Sequence, residues 1–452
     1  MGHVRCALSL PARAWIPGLA LALALGPAGE AGASGYAIKE QSGRQLGSAF
    51  AGAGSSAQDP SVLFFNPAGI ARLPGYRVSG VFSAVFARTE FDNDDSSLEG
   101  IAPVPVPIPG GNGGDAGKTA LVPALYATAQ TPVDFLHLGL GVNAPFGLST
   151  EYEDDWVGRY SALDSRLTTY NFNPVAAVQV TPWLSLGAGA QFQHADAKLT
   201  RALDFGTILA GLGVPGAVPF GADGEIELKA DDWGYGYTVG ALLEPREGTR
   251  LGVSYRSYIN EHLDGTAKFD GVPPPLAAVP QFTDQDATAR VSTPDSVEIS
   301  LHQDLGTRWA VMADAQWTNW NRFQVLRVDF KDDGVPSNVV SEQWHDTWFY
   351  SIGAQYAPLR PLTLRGGFAY DETPVSDDHR TAPLPDQDRF WITAGASYQW
   401  NRLIGLNVGY AHIFVREAEI DEETLIGPLT YRTHGDYEAA IDIASLQLDL
   451  RF

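Results

Sequence analysis

A glycine-rich run approaches a known chemical motif without matching it. Gly110 to Thr119 reads GGNGGDAGKT, and a phosphate-binding loop has the spacing G-x-x-x-x-G-K-[ST], in which backbone amides and a lysine hold phosphate oxygens. Asn112 stands where that motif requires its first glycine. The run also lies in a segment rich in proline and glycine, without the preceding strand and following helix of such a loop. We therefore predict a simple loop here.

Residues for nucleophilic or metal chemistry are not grouped as catalysis requires. The sequence contains no G-x-S-x-G nucleophile motif, and its 9 histidines are scattered without the short spacings of metal ligands. We expect no enzymatic activity, no metal site and no cofactor.

The formal net charge of −23 at pH 7 argues against nucleic acid as a partner, because an acidic surface repels phosphate and releases no counterions on binding. The acidic residues are concentrated in the runs Asp92 to Asp95, Glu151 to Asp155 and Glu417 to Glu423. Such runs are typical of solvated loops. A divalent cation that bridges them to anionic lipid headgroups is the alternative.

Residues 1–33 have the pattern of a cleaved secretory signal peptide. A basic start precedes an apolar run from Trp15 to Leu25, and Ala31-Gly32-Ala33 fits a cleavage site. The apolar run is too short to cross a bilayer as a helix. We predict a mature chain that begins at Ser34. The single cysteine, Cys6, lies in the signal, so the mature chain would have no disulfide.

The rest of the chain alternates like strands that face lipid on one side and a polar lumen on the other. Every second residue from Trp309 to Trp317 is aromatic or aliphatic, whereas the other row includes Asp314 and Gln316. The two tryptophans are eight positions apart, which spans ~20 Å of membrane at a strand tilt of about 40°. Similar patterns occur at 233–243, 348–356 and 390–400. We predict an all-β transmembrane barrel.

The connections give the number of strands. Six short turns are predicted near 131–134, 181–183, 244–248, 304–307, 358–361 and 400–403. Seven longer loops are predicted near 92–118, 149–166, 202–226, 264–286, 331–344, 372–387 and 417–436. Together they make a 14-stranded antiparallel barrel of residues 76–452 with its short turns in the periplasm.

Residues 34–75 precede the first predicted strand. This segment is dense in glycine, alanine and serine, follows neither a helix nor a strand period, and cannot form a core of its own. We predict that the barrel wraps it as an N-terminal luminal hatch, or plug. At the other end, Phe452 closes the last strand, which resembles the signal read by the outer-membrane barrel assembly machinery.

Several ordered motifs resemble the FadL-like family of outer-membrane transporters for long-chain fatty acids and other hydrophobic compounds. In the hatch these are the pattern G-x-x-L-G-x-A-F-A-G from Gly43 to Gly52, followed by Asn66, Pro67 and Ala68. Late in the chain they are FAYDETPV from Phe368 and LPDQDRFW from Leu384, which include Asp371, Asp386, Asp388 and Arg389. Without this context an Asn-Pro pair would indicate only a turn.

The resemblance implies a gap in the barrel wall. In this family a kink in the third strand opens the wall sideways, and the matching strand here runs from Leu136 to Thr150, with the gap at Pro145, Phe146 and Gly147. Proline removes a donor from the strand ladder and glycine weakens it. A simple strand end is the alternative.

The resemblance also implies a ligand pocket. Arg201 and Arg327 match the positions of the family's cations for the ligand carboxylate, a task that suits the two-pronged arginine side chain. Arginines near strand ends also commonly face solvent or a nearby acid. Tyr36, in Ser34-Gly35-Tyr36, stands where the family usually places a phenylalanine that reaches into the pocket.

The function implied is passive uptake of long-chain fatty acids across the bacterial outer membrane. A hydrophobic ligand would enter among the outer loops, where residues 207–220 are rich in leucine and valine, and leave sideways past the hatch into the bilayer. Outer-membrane lipid and lipopolysaccharide would surround the barrel. Uptake of neutral or aromatic hydrocarbons by the same fold, a general diffusion pore and a structural or adhesive barrel are the alternatives.

Overall fold

The computed structural model describes residues 35–332, 334–426 and 429–452, so the predicted signal peptide lies outside the described residues. The elements form one antiparallel sheet with short helices inside and above it. The strands are β1 Tyr76–Asn93, β2 Ser97–Glu99, β3 Val106–Pro107, β4 Thr119–Gln130, β5 Leu136–Asn143, β6 Gly147–Glu151, β7 Asp164–Thr181, β8 Leu184–Asp204, β9 Asp223–Arg246, β10 Thr249–Arg256, β11 Ile259–Asp270, β12 Gln285–Thr293, β13 Ser296–Leu305, β14 Trp309–Thr318, β15 Val325–Phe330, β16 Asn338–Ser341, β17 Thr347–Leu359, β18 Leu362–Asp371, β19 Arg389–Gln399, β20 Ile404–Val415, β21 Ala418–Ile426 and β22 Leu429–Arg451. The α-helices are α1 Gly43–Leu46, α2 Val62–Phe65 and α3 Phe205–Gly211, and 3₁₀ helices cover Pro67–Arg72, Pro280–Phe282, Trp320–Arg322 and Asp377–His379.

The sheet closes on itself as a barrel. β1 pairs with β4 on one side and with β22 on the other, in a register that runs from Arg77 opposite Arg451 to Asn93 opposite Gly435. Five wall strands are interrupted and consist of two consecutive elements each: β5/β6, β10/β11, β12/β13, β14/β15 and β20/β21. β2, β3 and β16 belong to the outer connections. The predicted 14-stranded antiparallel barrel is confirmed.

Side chains alternate between the two faces of the wall as the sequence predicts. In β14, Trp309 and Val311 are 53% and 41% exposed, whereas Met312 and Asp314 are buried against the interior.

Within the described residues no helix is long and apolar enough to cross a membrane.

One predicted loop is wrong. The acidic stretch 417–436 is not an irregular loop, because β21 and β22 continue through most of it as a paired hairpin, with Ala418 opposite Tyr437. Ile420 and Tyr431 point inward and are buried, while Glu419 and Asp421 alternate with Ile420 on the exposed side. The strands therefore extend beyond the membrane, and their outward carboxylates are solvated.

The described part of the predicted hatch, residues 35–75, lies inside the barrel. α1 contacts β1, β19, β20 and β22, and the 3₁₀ helix Pro67–Arg72 contacts β5, β7, β8 and β9. Close approach needs glycines on the wall, since a Cβ on Gly395 would come within 2.7 Å of the Gly47 Cα. The hatch thus obtains from the wall the core that it cannot form alone.

Candidate ligand-binding site

An apolar cavity lies between the outer halves of the wall strands. Its empty volume is about 920 Å³, and Leu199, Leu228, Leu263, Val291 and Val328 line it from five different strands. We call it the outer cavity. Burial of an acyl chain in such surroundings is favourable by ~0.8 kcal/mol per methylene.

Tyr36 of the hatch forms part of the lining of the outer cavity. Its ring lies 4.7 Å from that of Trp320, 5.5 Å from Trp344, 5.8 Å from Phe323 and 5.9 Å from Phe146, between ring centroids. Three of these contacts are edge-to-face and the one with Trp344 is tilted. Aromatic contacts of this kind add to the stabilisation from burial. The cluster closes the inner side of the outer cavity.

The hydroxyl of Tyr36 has a partner in this apolar surrounding. It donates a hydrogen bond to the carbonyl oxygen of Ser292 at 3.3 Å. Tyrosine can therefore occupy the position of the expected phenylalanine without a buried unpaired hydroxyl.

Gly35 holds the start of the hatch in place. Its φ is +60°, and a Cβ there would lie 2.8 Å from Trp344 and 2.9 Å from Trp320, so only glycine fits this conformation and this space. Its amide donates to the Oδ2 of Asp386 at 2.8 Å. The Asp386 carboxylate is buried, accepts from Thr373 Oγ1 at 2.8 Å and forms an ion pair with Arg389.

The late-strand motif therefore surrounds the N-terminal end of the hatch. Asp388 accepts from the Tyr370 hydroxyl at 2.7 Å and from the Thr373 amide at 3.1 Å, which fixes the loop that carries Asp386. Asp371 is buried opposite Arg389 in the β18–β19 ladder. Asp386 and Asp388 therefore position backbone, and Arg389 pairs with Asp386.

A second cavity lies between the hatch and the wall. It has an empty volume of about 860 Å³ and is lined by Ala37, Ile38 and Phe64 of the hatch and by Pro145 and Phe146 of the third wall strand. We call it the hatch cavity. Its other lining groups are more polar: Lys39, Thr238, Ser254, Arg256, Glu298, Gln316 and Asp371.

The start of the hatch pairs with the interrupted third wall strand. Ala37 lies opposite Phe146 in an antiparallel bridge, the Ile38 amide donates to the Pro145 carbonyl at 2.8 Å, and the Gly147 amide donates to the Tyr36 carbonyl at 2.8 Å. The break in this strand, between β5 and β6, is thus stabilised from inside by the hatch.

The wall ladder is interrupted at the same place. β4 pairs with β5 only from Gln130 to Leu125, while β6 pairs with β7 alone. In these fully described segments no strand pairing joins residues 119–124 of β4 to the third wall strand, and an isolated bridge between Gly117 and Thr150 closes the interruption on its outer side. Pro145, Phe146 and Gly147 all lie within it.

The two arginines expected to share a carboxylate do not meet. Arg201 is half-buried on the inward row of β8, two positions beyond Leu199 of the outer cavity. The carboxylate of Glu422 stabilises its positive charge. In the part of the chain that the structure describes, Arg201 takes part in no ion pair. Arg327 is exposed on the outward row of β15 and pairs with Asp329 at 2.7 Å. Of the two, only Arg201 faces the interior near the outer cavity, and it is not among the residues that line it.

An unexpected carboxyl group lines the outer cavity. Glu342 lies in the connection between β16 and β17, is 6% exposed and accepts from Trp344 Nε1 at 3.1 Å. Burial, and to a smaller extent the nearby Glu422, raises the pKa of Glu342 to about 8. At neutral pH this group is therefore mostly protonated and adds little negative charge to the cavity.

Asn66, Pro67 and Ala68 anchor the middle of the hatch. The Asn66 side-chain amide donates to the carbonyls of Gly54 at 2.9 Å and Ala241 at 3.0 Å, and its Oδ1 accepts from the Ala68 amide at 3.0 Å. Pro67 occupies the first position of the 3₁₀ helix. The pair makes a turn, and the same asparagine also ties hatch and wall together.

Some residues of the site carry only a weak signal in the sequence. Trp320 and Phe323 lie in and beside a short 3₁₀ helix between β14 and β15, and Trp344 and Glu342 lie in an outer connection. None of them follows a strand period, so an alternating pattern cannot assign them to the lumen. The aromatic content of these stretches is the one indication that the sequence offers.

A closed barrel with a luminal hatch and an apolar cavity above it defines a plugged outer-membrane barrel. The family model described as "Outer membrane protein transport protein (OMPP1/FadL/TodX)" matches residues 24–452. The chain belongs to this family of outer-membrane proteins.

Individual relatives agree with this assignment. The chain is 29% identical over 441 residues to a long-chain fatty acid transport protein of Escherichia coli O6:H1, covering 92% of this chain and 95% of the relative. It is 29% identical over 446 residues to a 47 kDa outer membrane protein of Pasteurella multocida, covering 96% and 97%. A FadL homologue from Pseudomonas aeruginosa has the same fold, with a TM-score of 0.83 at 23% identity, covering 92% of this chain and 100% of that structure.

Proposed function

We propose that the protein takes up long-chain fatty acids passively across the outer membrane. The outer cavity carries this proposal, because it combines an aliphatic lining with positive charge: Arg166 and Lys229 line it, and Arg201 lies on the inward row of β8 two positions beyond the lining residue Leu199. The relative from Escherichia coli named as a long-chain fatty acid transport protein supports the same ligand class. Transfer of the acyl chain from water into the cavity supplies the driving force for entry.

The ligand would pass through two compartments. α3 and the segment after it expose Leu212 and Val218 near the outer cavity and offer an apolar entry surface. The Tyr36 cluster separates the outer cavity from the hatch cavity. Withdrawal of residues 35–38 would join the two cavities and release the pairing that stabilises the interrupted third strand, which gives the ligand a lateral exit.

If Arg201 binds the ligand carboxylate, its removal should affect the affinity for a fatty acid but not the affinity for the ester of that acid. Arg201→Ala should weaken binding of a long-chain fatty acid roughly tenfold and leave its methyl ester unchanged, because only the acid forms charge-assisted hydrogen bonds with the guanidinium. Equilibrium binding to the detergent-purified protein measures both ligands. Arg327→Ala is the matched control and should change neither affinity. Equal binding of acid and ester by the unaltered protein would exclude the carboxylate role.

The raised pKa of Glu342 predicts that fatty-acid binding depends on pH. As the pH rises through about 8, Glu342 loses its proton and repels an ionised ligand, so fatty-acid affinity should fall on the order of fivefold, or ~1 kcal/mol. Because the pKa of Glu342 is raised in the folded state, its contribution to stability falls as the pH rises from the unfolded pKa to about 8 and changes no further above that pH. Titration of fatty-acid binding between pH 6 and about 9.5 measures the effect. Glu342→Gln should bind independently of pH over this range, and persistence of the loss in that variant would assign it to another group.

A neutral hydrocarbon is the second candidate ligand. Glu342 favours it, because a mostly apolar cavity whose carboxyl group is protonated can hold an uncharged molecule. The acid and ester comparison separates the two. The hatch disfavours a general diffusion pore for polar solutes, because almost all of its described residues are buried against the wall.

A further inference from the structure

The wall has another interruption of its ladder, four wall strands further along the barrel, between the sixth and the seventh wall strand. β9 pairs with β10 up to Thr238 opposite Arg256, and with β11 only from Asp231 opposite Asp264 onward. Residues 232–237 of β9 and 257–263 of the next wall strand, all of them described, have no ladder pairing between them. Isolated hydrogen bonds bridge the edges instead. The Ser257 amide donates to the Tyr237 carbonyl at 2.9 Å, and the Tyr237 amide donates to Ser257 Oγ at 2.8 Å. Further along, the His262 amide donates to the Asp232 carboxylate at 2.8 Å.

Both interruptions begin at nearly the same height. The last paired residue before the first is Val142, six positions beyond Leu136, where β5 begins. The last paired residue before the second is Arg256, seven positions beyond Thr249, where β10 begins. Six or seven residues correspond to ~20–23 Å along a strand and ~15–18 Å of height at a tilt of about 40°. This height lies beyond the middle of an apolar band of about 25 Å. Each interruption therefore faces the outer leaflet.

The hatch cavity extends to both of them. Its lining includes Pro145 and Phe146 at the first, and Thr238, Tyr255 and Arg256 at the second. Tyr255 belongs to the outward row of β10, where Val253 is 42% exposed. The cavity thus reaches a side chain of the outer face at this point of the wall.

A side chain rather than a backbone ladder fills the second interruption. A Cβ on Gly234 would overlap the Ile259 side chain, and a Cβ on Gly236 would lie 2.7 Å from Ser257 Oγ. Ile259 is 2% exposed and covers the two glycines from the lumen. On the outer face, Trp233, Tyr235 and Tyr237 are 46%, 67% and 52% exposed. Movement of one aliphatic side chain and its segment would open a path between apolar surfaces.

We propose that residues 232–237 and 257–263 form a second lateral opening, through which an acyl chain or other apolar ligand passes between the hatch cavity and the outer leaflet. The proposal rests on the proposed uptake function. It adds an exit that does not depend on the interrupted third strand, and Ile259 is its gate.

A disulfide across the opening tests this proposal. Gly234→Cys combined with Ile259→Cys places a cysteine at a glycine whose Cβ would meet the Ile259 side chain, and the described residues contain no other cysteine. Uptake of a radiolabelled long-chain fatty acid by cells that carry the variant is compared with the disulfide formed and after reduction. Ser83→Cys with Ser445→Cys is the matched control, since these residues face each other in the continuous β1–β22 ladder with 2.8 Å between their oxygens.

We expect the disulfide at 234 and 259 to lower the uptake rate at least twofold and the control disulfide to leave it unchanged, with binding to the purified protein intact in both. Equal uptake in the oxidised and reduced states would overturn the second opening while the uptake function stands. Absence of uptake by the unaltered protein would instead remove the function on which the proposal rests. If the first pair prevents assembly, Gly236→Cys with Ser257→Cys crosses the same opening and is subject to the same outcomes.

Discussion

Uptake should fall at least tenfold when the hatch is covalently fixed to the third wall strand by Ala37→Cys with Phe146→Cys. The two residues form a non-hydrogen-bonded antiparallel pair, because the hydrogen bonds on either side join residues 36 to 147 and 38 to 145. Side chains in such pairs are close enough for a disulfide. The bond would keep the Tyr36 cluster closed and prevent the hatch from leaving the strand break.

The reduced form of the same double variant is the control. The oxidising periplasm forms the disulfide during export, and a thiol reductant should restore uptake of radiolabelled fatty acid to the level of the single variant Phe146→Cys. Ligand binding in the outer cavity should persist in the oxidised form. Unchanged uptake with the disulfide intact would show that the ligand passes without movement of residues 35–38.

Asp386→Ala should produce the largest loss of stability among the site residues. It removes the acceptor for the Gly35 amide and one ion-pair partner of the buried Arg389, and loss of one partner of a buried pair costs ~3–5 kcal/mol. Denaturant unfolding in detergent measures the free energy. Limited proteolysis should at the same time cut within the first residues of the hatch.

An exposed ion pair supplies the comparison for Asp386. Asp329→Ala breaks the pair with Arg327, in which the Asp329 side chain is 48% exposed and the Arg327 side chain 59%. This substitution should change the free energy of unfolding by less than ~1 kcal/mol. A hatch that resists protease as well in Asp386→Ala as in Asp329→Ala would contradict the anchoring role of Asp386.

The barrel itself can be predicted because its signal is repeated. Period-2 alternation with aromatic ends, as from Trp309 to Trp317, occurs in many strands, and short turns separate them at regular intervals. The stretch 417–436 is the exception, because a run of carboxylates is typical of a loop. Its Glu419 and Asp421 nevertheless alternate with Ile420 in the manner of a strand that extends into water.

The site is less predictable because it depends on register and on irregular segments. Arg327 lies eighteen positions after the outward Trp309, so simple alternation places it outward, whereas similarity to the family motif favours the opposite interpretation. Arg201 lies on the inward row with Leu199. Glu342 and Trp344 come from a connection without any period, and only the folded chain brings them to the cavity. The break in the third strand is marked by a proline, whereas the interruption opposite Gly234 has none.

The hydrogen bond between Gly35 and Asp386 joins residues 351 positions apart. Contacts of such separation cannot form until the intervening chain is largely in place. The N-terminal end of the hatch can therefore take its final position only after the eleventh and twelfth wall strands have been assembled. Completion of the wall and sealing of the permeability barrier are in this sense a single event in biogenesis.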